Sequence, residues 1–367
     1  MRAVVILFVL LASAGVAAAY PQYQISYDKT CTACHISPSG GNLLNENGLA
    51  AAESFSMFGT NPEFLNGLVE PPSWLTLGGD VRASTGFMAT PEKVLATFPM
   101  QAELYVNVKA GAFSVNATGG LRPAQEDNRA ATTLWSREHY VMWQSEPTSN
   151  YGIYVRAGRF MPVFGLRLTE HPTYVRRYSG TQLYADTYGV NASYIEEKFE
   201  LHATGFVTDP FIDPVVVGHG GAFYGEARLG DNAAVGIEGM VRRNDDATRY
   251  WTGATGKYWL PGPKLLLQAE VMYAPTTIDE GGSQRGIIGA LVGTLFLPHG
   301  LMLDLGLNHY DPDYRVAELD RDSIDVNLHW FGTSHVELVL NTRYETLAFG
   351  SGGRSGAYAL FQLHYRL

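Results

Sequence analysis

Residues Ser323 to Phe331 read SIDVNLHWF. Ile324, Val326, Leu328 and Trp330 fall on one face of an extended chain; Asp325, Asn327 and His329 fall on the other. Successive side chains of a strand alternate between faces, so the pattern has period two, one side apolar and one polar. A soluble sandwich would bury the second face as well, and a charged face is too costly for a dry core. An apolar face toward lipid and a polar face toward a water-filled lumen satisfies both halves of the pattern.

The rest of the chain repeats it. In VELVLNTRYE, Val336, Leu338 and Leu340 oppose Glu337, Asn341, Arg343 and Glu345. In MQAELYVNVKA, Ala102, Leu104, Val106 and Val108 oppose Gln101, Glu103, Asn107 and Lys109. Sixteen such segments can be read from Trp74 to Leu367. The last is ALFQLHYRL, with Phe361, Leu363, Tyr365 and Leu367 on one face. Runs of about ten residues suit tilted membrane strands.

Every second connection is short: AGA (110–112), EPTSN (146–150), EEK (196–198), GDN (230–232), PGP (261–263), PHG (298–300) and GTSH (332–335). The intervening ones read as longer and polar: TPEKVLAT, RPAQEDNRA, residues 163–187, TDPFIDPVVVGHG, PTTIDEGGSQ, DPDYRVAELDRD and GSGGRSG. Short periplasmic turns alternating with longer external loops are the habit of outer-membrane barrels. The expectation is therefore an all-β protein: an antiparallel outer-membrane barrel of about sixteen strands over residues 73–367.

Composition agrees. Only 17% of the 367 residues are charged and 12% are aromatic, a balance that suits a lipid-facing barrel. The net charge of −10 argues against a nucleic-acid partner. Residues 1–19, MRAVVILFVLLASAGVAAA, have an early Arg2, a short apolar run and a small-residue ending. That is the form of a secretory signal peptide cut before Tyr20, and the run is short for a membrane anchor. No catalytic triad, phosphate loop or glycosidase-like pair is evident, so whether the chain is an enzyme is left open.

Residues 20–72 break the alternation. Asn45 is placed to cap a helix running through Leu49 to Phe58, with Gly59 as its stop, and Pro71-Pro72 marks a boundary. A unit of about fifty residues has too little core to stand alone. It contains the only two cysteines of the chain, in Cys31-Thr32-Ala33-Cys34-His35. Cys-x-x-Cys-His is the attachment sequence of c-type haem: two thioethers from Cys31 and Cys34, and His35 as the proximal iron ligand. A redox disulfide pair would want a thioredoxin-like setting, and a structural zinc wants four ligands where three stand. The reading is a small monohaem cytochrome c-like domain with one covalent haem c. Met57 is a candidate distal ligand, its alternative being packing beside Phe55 and Phe58. His139, His171, His202 and His329 are candidates from the barrel, and an open sixth position is a further option.

Two more features stand out. RAGRFMPVFGLRLTEHPTYVRRYSG gathers Arg156, Arg159, Arg167, Arg176 and Arg177 around one long loop. It reads either as an inward-folding constriction, with Glu170 opposing the arginines, or as ordinary arginine lining of a polar lumen, the simpler expectation. The external loops are acidic at Glu126, Asp127, Asp245, Asp246, Asp279, Glu280, Asp311, Asp313, Glu318, Asp320 and Asp322. Solvation, or bridging to lipid headgroups through calcium, is the simpler reading of them beside a dedicated cation site.

An export signal, CTACH and a barrel of about sixteen strands together resemble the fused monohaem c-type cytochrome–porins, whose best-known members are outer-membrane iron oxidases. The segment after the motif, ISPSGGNLLNENGLAAA, departs from the aromatic- and proline-containing segment of those proteins. The resemblance implies electron relay across the bacterial outer membrane. Its two ends would be an extracellular metal or mineral, ferrous iron above all, and a periplasmic cytochrome or other electron carrier. The competing readings are a diffusion porin with an accessory haem domain and a barrel sheath for a separate multihaem cytochrome. A haem domain in or under the lumen belongs to the first reading.

Overall fold

The computed structural model describes residues 30–41, 43–89, 93–121, 134–170, 172–209, 218–347 and 355–367. The proposed signal peptide, residues 20–29 of the expected haem domain, His171, the whole RPAQEDNRA loop with Glu126 and Asp127, and much of TDPFIDPVVVGHG lie outside the described residues.

Sixteen strands form the wall: β1 (Leu75–Ala89), β2 (Lys93–Ala110), β3 (Phe113–Leu121), β4 (Leu134–Gln144), β5 (Gly152–Phe160), β6 (Thr187–Ile195), β7 (Phe199–Val207) and β8 (His219–Leu229), then β9 (Ala233–Arg243), β10 (Ala247–Leu260), β11 (Leu265–Ile278), β12 (Ser283–Leu297), β13 (Leu301–Asp311), β14 (Arg321–Phe331), β15 (Val336–Leu347) and β16 (Ser355–Arg366). Each pairs antiparallel with its neighbours, and β16 returns to β1, with Asp80 opposite Arg366. Closure leaves no unpaired sheet edge, which a hydrocarbon layer demands. Ile324 is 50% exposed and Leu104 54%, whereas Asp325 is 8% and Glu103 6% exposed. The alternation read from the sequence is thus the lipid and lumen faces of the wall.

The short turns gather at one end, as expected. The opposite end differs from expectation in two places. TPEKVLAT is mostly strand, because β2 starts at Lys93, opposite Ala89. PTTIDEGGSQ is likewise absorbed into β11 and β12, leaving only 279–282 as the turn. The connection between β9 and β10 is just 244–246. Thr and Val at the strand ends keep pairing where the polar residues around them signal a loop.

Two segments fill the lumen. The first is residues 30–72. Helix α1 (Glu46–Phe55) begins at Asn45, whose side chain accepts a hydrogen bond from Gly48 N at 3.0 Å. It stops three residues short of the expected Phe58. There the backbone takes barrel partners instead: Met57 N donates to Phe331 O at 2.8 Å and Phe58 N to Gly332 O at 3.1 Å. Its Phe55 enters a cluster with Leu266, Phe296, Met302 and Phe331 of the wall. Phe331 meets it at 5.1 Å and Phe296 at 6.4 Å, both edge to face. Thr60 bonds Ser334, and the His335 ring bonds Asn61 O at 2.6 Å. These partners all lie at the short-turn end, so the barrel supplies the core that the segment lacks.

The second is the loop between β5 and β6, residues 161–186. Val163, Phe164, Tyr174 and Val175 are buried, and the last three pack with Phe206, Met240, Trp251, Met272 and Ile288 of the wall. Its short helical turn α2 (Tyr174–Arg177) is tied to strands half the ring away. Tyr174 N donates to Asn308 on β13, the Tyr174 hydroxyl to Glu345 on β15, and Arg343 to Pro172 O. The loop therefore crosses the lumen. This corrects the simpler expectation: Arg156 and Arg159 line the wall on β5, but Arg167 and Arg176 ride a constriction loop. Apolar residues between the arginines, Phe164 and Val175 above all, are what pull it inward.

Candidate functional site: a cysteine–histidine chamber in the lumen

The CTACH stretch forms one tight turn. Cys34 N and His35 N both donate to Cys31 O, at 3.2 and 2.9 Å. Side chains three apart on such a turn share a side, which brings Cys31 and Cys34 together. The turn is fixed from several directions. Asn45 N donates to Cys34 O and the Asn45 side chain to Thr32 O, each at 2.9 Å. Thr32 donates to Asn150 O of the wall at 2.6 Å, and wall residue Arg156 donates to Ser37 at 3.1 Å. Gly48 permits the approach of helix α1: the Cys34 carbonyl occupies the space a β-carbon would need.

Cys31, Cys34 and His35 line a chamber of about 360 Å³. That lies within the range that small-molecule and cofactor sites occupy. The crossing loop closes it with Phe164, Leu166, Arg167 and Glu170; the wall contributes Asp80, Glu103, His329, Glu337 and His364.

Burial, aided by the charge of Arg366, pushes the His35 imidazole down to about 4. His35 is therefore neutral at pH 7, the form that ligates metals. Its buried Nδ1 makes no hydrogen bond of good geometry among the described residues, although the Gly41 backbone lies near enough to the ring to oppose the downward shift. Burial pushes the Cys31 thiol up, against the nearby charge of Arg167. Arg167 is itself held by Glu200 at 2.6 Å, and Glu200 also takes Arg228 at 2.9 Å. A pair of thiols, a neutral imidazole with an unsatisfied nitrogen and an adjoining chamber fit a covalently held haem.

The other expected ligands scatter. Met57 is 42% exposed and is absent from the chamber wall, because helix α1 ends at Phe55 and hands its last turn to the barrel rim. His139 bonds Ser136 and Tyr188, at 2.9 and 2.7 Å, away from the chamber. His202 bonds Ser193 at 2.7 Å within a buried charge network beside Glu200. Among the described residues of this set His329 lines the chamber, but Glu337 lies 2.8 Å from its Nδ1 and Asp304 3.3 Å from its Nε2, so neither nitrogen is offered to a metal. His364 lines the chamber too and was missed, although its alternation with Phe361, Leu363 and Tyr365 placed it on the lumen face. The acidic outer loops resolve into local pairs: Asp279 with Arg243 at 3.0 Å, Asp313 with Arg315 at 2.8 Å and Asp322 with His309 at 2.9 Å. Among the described residues no group of three or more His, Cys, Asp or Glu is arranged to hold a metal ion.

The class this defines is a sixteen-stranded barrel of the outer-membrane porin fold, its lumen occupied by its own N-terminal segment and its own inward loop. Solved structures share the barrel. OmpT of Vibrio cholerae aligns with TM-score 0.62 and 13% identity, over 82% of this chain and 100% of that one. The anion-selective porin of Comamonas acidovorans aligns with TM-score 0.59 and 13% identity, over 80% and 99%. OprB of Pseudomonas putida gives 0.59 and 11%, over 80% and 94%. At these identities the likeness is one of fold. No family model matches the chain, and neither does any curated protein.

Proposed function

We propose that this chain carries electrons across the outer membrane through one c-type haem held inside a plugged porin barrel. The observation that supports it is the placement of Cys31, Cys34 and His35 on one chamber within the lumen. A haem bound there would shuttle one electron at a time between two iron oxidation states. Cys31 and Cys34 would hold the group as thioethers and His35 would supply a nitrogen to its iron; Met57, exposed at the rim, is given no role. Thr32, Asn45 and Gly48 fix the turn that presents the three ligands. Arg167, anchored by Glu200, brings a positive charge near the Cys31 thiol. The plug sits at the short-turn end, the periplasmic side in barrels of this kind. A periplasmic cytochrome meets that rim, and an extracellular metal, ferrous iron first, meets the acidic loops opposite.

The competing reading is a diffusion porin. Residues of the N-terminal segment and of the crossing loop narrow the lumen around the chamber, which speaks against it and leaves little room for a separate cytochrome inside. The test is the visible spectrum of the detergent-solubilised protein, made with haem maturation machinery, together with solute uptake by proteoliposomes. A c-type α-band that rises on ferrous iron addition, with uptake far below that of an open porin, is expected. Open-porin uptake and a spectrum indifferent to external donors would overturn the proposal.

A further inference from the structure

Six lumen-facing side chains on six successive strands form one continuous row. Asp304 on β13 lies 3.3 Å from His329 Nε2 on β14, and His329 Nδ1 lies 2.8 Å from Glu337 on β15. The other Glu337 oxygen lies 2.8 Å from His364 Nδ1 on β16, and His364 Nε2 lies 2.7 Å from Asp80 on β1. Tyr105 on β2 donates to the second Asp80 oxygen at 2.7 Å. All six are buried.

Carboxylate and imidazole alternate, and each imidazole has a carboxylate against both nitrogens. Each imidazole can hold a proton on both nitrogens, one toward each carboxylate, so a proton given up at one link can be replaced from the next, and the row passes protons along the wall. A belt that served only to brace the wall would use arginine, as Arg343 does with Asp325 at 2.5 and 2.7 Å nearby.

A second cavity tells where the row opens. Glu337 and His364 line the chamber on one side. With Ala52, Phe55, Ser334 and His335 they also line a cavity of about 20 Å³ toward the short-turn rim. That is room for one water. Other charges face the row: Glu170 of the crossing loop faces His329, Asp304 and Glu337, Arg82 on β1 and Arg366 on β16 face Asp80, and Glu103, paired with Arg137, lies 3.0 Å from the Tyr105 hydroxyl.

We propose that the His329–Glu337–His364–Asp80 row is a proton relay, with Glu337 and His364 as its gateway between the chamber and the periplasmic rim. Its purpose rests on the electron-transfer reading. When the chamber gives one electron to a one-electron periplasmic carrier, its charge rises by one. One proton then leaves the row for rim water and restores the balance; electron entry reverses both.

Two readouts test it. The first needs no haem: histidine C2 hydrogen–deuterium exchange, followed by mass spectrometry, on the full chain carrying Cys31→Ala and Cys34→Ala. Ala52→Leu, which fills the small cavity, and Glu337→Gln, which keeps its volume, should each slow His364 exchange at least fivefold and leave His139 unchanged. The second is the midpoint potential of the haem-loaded chain against pH. One proton per electron is a tenfold change per pH unit, so the potential should fall by about 59 mV per unit. Glu337→Gln should flatten that slope. His364 exchange indifferent to both substitutions overturns the relay, and so does a pH-independent potential in the parent chain. Absence of haem would defeat the functional reading instead, and the exchange experiment would still decide the relay.

Discussion

Phe55→Ala removes a large side chain by which the plug is inserted into the wall. Phe55 is buried among Leu266, Phe296, Met302 and Phe331 and makes two edge-to-face ring contacts. Truncating a buried phenylalanine costs about 3–5 kcal/mol, because the wall cannot collapse into the space left behind. The strands of a closed barrel are held by their own ladders, so the loss should fall on docking of the plug rather than on the barrel. Its remaining ties include the backbone bonds of Met57 and Phe58, the Thr60–Ser334 bond and the His335–Asn61 bond. Each such bond is worth about 1 kcal/mol net, so no single one makes up the loss. A 4 kcal/mol loss is roughly a thousandfold rise in the population of undocked plug. Amide hydrogen exchange over residues 45–58 should accelerate by that order while β13 and β14 hold. Planar-bilayer recordings of Phe55→Ala should show openings that the parent lacks. Less than tenfold acceleration, with unchanged conductance, would refute the claim that Phe55 anchors the plug.

Acidification should loosen the haem-free plug. The folded-state value of His35, about 4, lies below its ordinary 6.5, so its contribution is complete above 6.5 and is lost as pH falls through about 4. The difference is worth about 3 kcal/mol, and hydrogen exchange of residues 31–41 should show it in the parent but not in His35→Gln. Asp186, pushed up to about 6 by burial, works the other way: its contribution is present below 3.8 and is lost as pH rises through about 6. The histidine must therefore be read from the difference between the two chains. Gly48→Val should clash with the Cys34 carbonyl, displace helix α1 from the CTACH turn and cut covalent haem yield several-fold at unchanged barrel yield, measured by haem stain against protein. Arg167→Met removes a charged hydrogen bond worth about 1.5–3 kcal/mol. Glu200 keeps Arg228, so the barrel should hold while protease sensitivity of residues 161–170 rises.

The wall was legible because its rule is local. Ile324 and Asp325 declare opposite faces through period two alone, and the same rule, carried through ALFQLHYRL, also marks His364. Cys31, Cys34 and His35 stood out by spacing alone, and the three line one chamber. The course of the crossing loop was not. Tyr174 is tied to Asn308 and Glu345, more than 130 positions on, and no local pattern encodes partners so distant. The end of helix α1 was misread for the same cause: nothing near Ser56 announces that Met57 and Phe58 will pair with the β14–β15 rim. The Asp80–His364–Glu337 row is equally hidden, since it unites the first strand of the wall with the last two.

The most direct test of the central claim is the intact mass of the full chain matured with c-type haem machinery, beside the Cys31→Ala/Cys34→Ala chain. One haem per parent chain that survives denaturation, and none on the double variant, is the result the account requires. A parent chain that folds as a barrel and carries no covalent haem would contradict it.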